Sequence, residues 1–150
     1  MKRLICSVLV LMLVFSAIPV MVHADQGNKE ITYFEDGSYL VSEVIPASTR
    51  ASGTTSGTKP YTYYGASGKS LWKVTLSGTF RYTGSSATCT DSSVSVSIYN
   101  NSWYTASKSA GKSGSSATGS ASMSMKSAGV TVMTVPVSMS LTCDANGKLS

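Results

Sequence analysis

Residues 71–82 read LWKVTLSGTFRY, and their alternation decides the fold. Trp72, Val74, Leu76, Phe80 and Tyr82 share one face with Gly78 in register among them, while Lys73, Thr75, Ser77, Thr79 and Arg81 share the other. A period of two means a strand with one face buried and one wet. An antiparallel sheet suits that pattern better than a parallel one. Gly78 either leaves room for a neighbouring aromatic ring or marks a bulge.

Outward from this strand the pattern repeats. Upstream, GASGK makes a turn after the strand Tyr61–Tyr64. Downstream, TGSSA turns the chain into Thr88-Cys89-Thr90, and Val94, Val96 and Ile98 then alternate with Ser95, Ser97 and Tyr99. YNNSW is a turn by its Asn-Asn-Ser content. In the Ser-rich stretch that follows, Ala117, Gly119, Ala121, Met123 and Met125 alternate with Thr118, Ser120, Ser122 and Ser124, which reads as two strands around Lys112-Ser113-Gly114. GVTVMTVPVSMSLTC changes phase: Val130 and Val132 are even-numbered, whereas Val135, Val137, Met139, Leu141 and Cys143 are odd. One strand cannot bury both sets on one face, so a β-bulge or a passage from one sheet to the other is expected there. DANG makes a last turn.

The N-terminus reads as an export signal over residues 1–24: MKR, a long apolar run, then VHA, with cleavage expected before Asp25. The run approaches the length of a bilayer span, so an uncleaved anchor is the other reading. Residues 25–45 form an acidic segment in which Ile31, Tyr33, Tyr39 and Val41 flank an Asp36-Gly37 turn, a hairpin signal. Residues 46–60, small, polar and bounded by Pro46 and Pro60, read as a linker. Residues 61–150 are the main β-domain. The whole is expected to be an all-β antiparallel β-sandwich of about seven short strands, with a barrel as the alternative.

With the signal removed, the only histidine, His23, and Cys6 leave, and Cys89 and Cys143 remain. An even count in an exported chain reads as a disulfide. It closes a loop of about 55 residues, worth about 4 kcal/mol on the chain-entropy model. The Cys89–Trp103–Cys143 spacing is similar to that of an immunoglobulin domain, but Leu141 stands where that family has Tyr and too few residues follow Cys143 for a further strand. Taken together, YFEDGSYLVSEV, LWKVTLSGTFRYTGSSATCT, SIYNNSW and LTCDANGKLS resemble a group of small exported proteins of Gram-positive bacteria with no assigned function. The resemblance implies a shared fold that includes Cys89 and Cys143, and no activity.

Without histidine, a Ser-His-Asp or Cys-His constellation cannot be built, and no zinc set, P-loop or dinucleotide motif stands in the sequence. No enzyme activity, metal or cofactor is expected. Asp91 and Asp144 lie each beside a cysteine, as a carboxylate pair or as two turn residues. From Gly53 onward only these two acids face Lys59, Lys69, Lys73, Arg81, Lys108, Lys112, Lys126 and Lys148, against a net charge of +5 for the chain. No basic run concentrates the field as nucleic-acid binding prefers.

Tyr61, Tyr63, Tyr64, Tyr99, Trp103 and Tyr104 lie at strand ends and turns, either facing a sugar or peptide or serving as core plugs and cross-strand pairs. The expectation is a secreted or wall-associated binding or adhesion module for a glycan, an anionic wall polymer or a protein, with no membrane span after cleavage. The alternative is a secreted antagonistic peptide or toxin whose acidic leader is a pro-segment. A cut at Arg50, in a flexible polar segment, would then release the basic body.

Overall fold

A computed structural model describes residues 29–50 and 53–150. The export signal expected over residues 1–24 and its expected cleavage point lie outside the described residues. Among the described residues nine strands form two antiparallel sheets, with no closed barrel. They are β1 (Lys29–Tyr33), β2 (Tyr39–Glu43), β3 (Ile45–Arg50), β4 (Thr54–Tyr64), β5 (Ser70–Tyr82), β6 (Ala87–Ile98), β7 (Trp103–Ser113), β8 (Ser116–Ser127) and β9 (Val130–Thr142). The larger sheet runs β1-β2-β4-β5-β6 with β3 also on β4, and the smaller runs β7-β8-β9. The fold is a β-sandwich. Among the described residues no helix is long and apolar enough to cross a membrane.

β5 is buried on alternate residues as its sequence dictates: Trp72, Val74, Leu76 and Phe80 are fully buried. They meet Ala117, Ala121 and Met123 of β8 and Val135, Val137, Met139 and Leu141 of β9. A Cβ on Gly78 would stand 2.8 Å from the Phe80 ring and 3.0 Å from the Ala117 Cβ, so this position leaves room for a ring. The phase change in the last strand is a bulge. Met125 pairs with Met133 and Lys126 with Thr131, leaving Val132 over. Val130 and Val132 stay exposed, so the two sets do not compete for one face.

Residues 46–60 are not a linker, which corrects the reading from composition. Ile45 to Ala47 pair with Thr58 to Ser56, and Thr54 to Tyr64 pair along the whole of β5. Threonine is small and polar yet β-branched, so Thr54, Thr55 and Thr58 suit a strand as well as a loop. Thr55 is buried opposite Phe80. Gly57 is where Leu149 and the Ile45 carbonyl close in, with no space for a Cβ. Nor is the acidic leader separate. Its hairpin forms around Asp36, whose carboxylate accepts from the Ser38 amide and hydroxyl, and β2 then pairs with β4. The register runs through Val44 unbroken: Ser42 faces Tyr61, and Ile45 faces Thr58 three residues on.

The chain changes sheets in the Tyr99–Ser102 loop, where the Asn100 side chain accepts from the Ser102 amide at 2.9 Å. β6 is an edge strand, and its carbonyls are capped from the other sheet. Lys112 donates to Thr90 O at 2.6 Å and Lys108 to Val94 O at 3.4 Å. Charged side chains laid on an edge block pairing with other chains.

Candidate functional site

The aromatic residues singled out in the sequence do not converge. Tyr61, Tyr63 and Trp103 are core residues, which corrects the ligand-facing reading for these three. Odd-numbered residues of β4 face inward, and Trp103 opens β7 opposite Met125 of β8, another residue packed on the core. Tyr63 stacks on Trp72 with centroids 4.9 Å apart, and Trp103 meets both rings at an angle. Burial pushes the Tyr61 phenol up to about 12.

The other three lie on different surfaces. Tyr64 faces outward and stacks on Tyr39 at 4.9 Å, and Tyr39 in turn contacts Tyr33 at 5.7 Å. These rings cover one another's faces, as cross-strand pairs do. Tyr33 and Tyr39 escaped the sequence reading as a surface row, although the Asp-Gly hairpin sets them directly opposite each other. Tyr104 lies on the outer face of the smaller sheet, its hydroxyl 2.8 Å from that of Thr131 and Lys126 over its ring at 4.5 Å. Tyr99 is exposed in the β6–β7 loop.

The depression best suited to a polar ligand surrounds Arg81, at the end of the larger sheet. It has a volume of about 710 Å³ and is lined by Gly53, Thr54, Arg81, Tyr82, Thr83, Ser86, Thr88 and Thr90. Alternation builds it. Phe80 goes into the core between Thr55 and Cys89, so Arg81 turns out between Thr54 and Thr88 on the neighbouring strands. A bulge in β6 adds Thr90 to the wall, where its hydroxyl donates to Thr79 O at 3.1 Å. The Thr83–Ser86 turn is held by a 3.0 Å backbone bond and by the Thr83 hydroxyl, which lies 3.1 Å from those of Ser85 and Ser86. Among the described residues no carboxylate lines the pocket. A guanidinium offers a fixed fork of donors to an oxyanion. The surrounding hydroxyls both donate and accept, as a polyol requires. The sequence marked Arg81 only as a wet residue of β5, because half the pocket comes from residues read as linker and turn.

A second cleft, about 620 Å³, opens between the sheets at the β1–β2 turn. Phe34, Tyr63, Val132, Met133, Val135 and Pro136 give it an apolar floor, with Glu35 and Asp36 at the lip. Asp36 is engaged by Ser38, whose hydroxyl lies 2.7 Å from that of Tyr63.

Asp144 serves as a turn residue: its carboxylate accepts the amides of Asn146 and Lys148 at 2.9 and 2.8 Å. Asp91 stands on β6 opposite Thr79. Cys89 and Cys143 are both buried free thiols in this structure. Among the described residues no group of three or more His, Cys, Asp or Glu is placed to hold a metal ion. No family model matches the chain, and no curated protein or solved structure matches it.

Proposed function

We propose that this protein is a non-enzymatic binding module acting outside the cell, and that the Arg81 pocket takes an anionic saccharide or polyol unit of a wall polymer. One observation carries the reading: Arg81 lines a depression whose other lining residues offer hydroxyls, a backbone glycine and a phenol, with no carboxylate among them. The excess of cations beyond Gly53 supports the same choice, since it draws anionic polymers toward the body. The alternative, a toxin freed from its acidic leader, fits less well. That leader supplies β1, β2 and β3, and removing it would strip one side of β4 of its hydrogen bonds.

The test is binding of the purified protein to a polyglycerol-phosphate polymer, with neutral dextran as the control. A hydrogen bond to a charged group contributes about 1.5–3 kcal/mol, so Arg81→Ala is expected to weaken binding about tenfold or more. Arg81→Lys should recover part of the loss, because the charge stays and the fork goes. Lys126→Ala, on the other sheet, should bind as the parent does. Equal binding by Arg81→Ala and the parent would remove the pocket from the function.

A further inference from the structure

Cys89 lies in β6 of the larger sheet, and Cys143 follows β9 of the smaller. Between them stands the β7–β8 turn, two residues long, flanked by the Ser113–Ser116 pair. The Cys89 amide donates to Gly114 O at 2.8 Å, and the Cys143 amide donates to Ser115 O at 3.0 Å. Two consecutive carbonyls thus anchor the two cysteines on either side of one turn. Neighbouring Cα atoms are about 3.8 Å apart, and a disulfide joins Cα atoms roughly 4.4–6.8 Å apart. Both side chains are buried, at 5% and 2% exposure. Each thiol donates to a carbonyl in its own segment, Cys89 to Asp91 O at 3.2 Å and Cys143 to Asp144 O at 3.4 Å.

We propose that Cys89 and Cys143 are an oxidation site, joined as a disulfide that ties sheet to sheet and pins both walls of the Arg81 pocket. The effect on the pocket rests on the function proposed above; the bond itself does not. Thr88 and Thr90, either side of Cys89, form one wall. The other wall, Tyr82 to Ser86, leans on the turn after Cys143. Gly84 donates its amide to Ala145 O at 2.8 Å, and Gly147 packs so close to the Tyr82 ring that a Cβ would stand 2.6 Å from it.

The oxidant is a disulfide-bearing thiol reagent or oxidoreductase. One cysteine thiolate attacks the external disulfide, forms a mixed disulfide and expels one thiolate. The second cysteine thiolate attacks the cysteine sulfur of that mixed bond and expels the other. Two protons leave the cysteines for the two departing thiolates, and two electrons reduce the external disulfide to two thiols. Burial pushes both cysteine thiols up, and the Asp144 carboxylate and then Cys89 raise Cys143 further. A protonated, buried thiol is a poor nucleophile, so the bond forms during folding, before the core closes.

The test refolds the reduced full chain from denaturant in a glutathione disulfide/glutathione buffer, alkylates it and digests it without reduction. One species linking the Cys89 and Cys143 peptides is expected. Cys89 and Cys143 alkylated, capped by glutathione, linked to Cys6 or joined between molecules would overturn the proposal. Amide hydrogen exchange at Gly84, Cys89 and Cys143 is then compared in the linked and reduced forms. Slowing of about tenfold or more in the linked form is expected, and equal rates would overturn the pinning of the walls. Neither readout involves a ligand, so a failure of Arg81→Ala to weaken polymer binding would leave both standing.

Discussion

Two interior strands, β5 of the larger sheet and β8 of the smaller, solve the same packing problem with opposite residues. β5 presents Trp72, Val74, Leu76 and Phe80 to the interior, interrupted by Gly78. β8 presents Ala117, Gly119, Ala121 and Met123. Where β5 is empty, Ala117 fills the space; where Leu76 and Val94 of the larger sheet project, β8 has Gly119. Large side chains on β5 over small ones on β8 let the two strands approach closely. β5 therefore supplies bulk and β8 supplies room, and the two strands should respond differently to change.

Truncation should separate them most. Trp72 is fully buried and holds Tyr63 and Trp103 around it, so Trp72→Ala is expected to cost about 3–5 kcal/mol. Met123 is equally buried, but Met125, Met133 and Met139 belong to or pack against the same core and are flexible enough to move into the space. Met123→Ala should fall at the lower end of about 2–5 kcal/mol. Urea unfolding of both variants measures the difference. A larger loss for Met123 would reverse the assignment of bulk and room.

Enlargement should separate them the other way. A Cβ at Gly119 would lie 2.7 Å from Val94 Cγ2, 3.1 Å from Met139 Cε and 3.2 Å from Leu76 Cδ1. Methionine can yield, but valine has a stiff side chain. Gly119→Val is thus expected to cost about 1–3 kcal/mol through overpacking, although valine favours strands. A neutral result in urea unfolding would mean that the sheets are not held at contact distance there.

This contrast also explains what could be read from the residues alone. The bulky layer announces itself: period-two alternation of Trp72, Val74, Leu76 and Phe80 leaves one orientation for β5. The phase change around Val132 also locates the bulge in β9. The small-residue layer is legible only through Met123 and Met125 falling in step with Ala117 and Ala121. For residues 46–60 even that marker is missing, since Thr and Gly serve a strand or a loop equally. The Arg81 pocket was hidden for a related reason. Its walls come from β4, β5, β6 and the turn between the last two, and only the pairing of Thr54 and Thr88 with Arg81 brings them together. The cysteines were visible as a pair, but the turn that brings them together belongs to other strands.

The smallest expected effect lies within the layer of small residues, at its two hairpins. The β7–β8 turn puts Gly114 at φ 54° in its first position, where a positive φ costs glycine nothing. The β8–β9 turn is also two residues long, with Ser127 opposite Val130, and places Ala128 at φ 49° and Gly129 at φ 81°. Both central residues in the left-handed region make a type I′ turn, for which Asn-Gly is the favoured pair. Ala128 meets that geometry with a Cβ and no side-chain hydrogen bond to offset the strain. Asparagine enters the left-handed region more readily. Ala128→Asn is therefore expected to stabilise the protein by about 0.5–1 kcal/mol. The site is exposed, so the core is untouched and the urea midpoint should rise at constant slope. A lowered midpoint would show that Ala128 carries no strain in this turn.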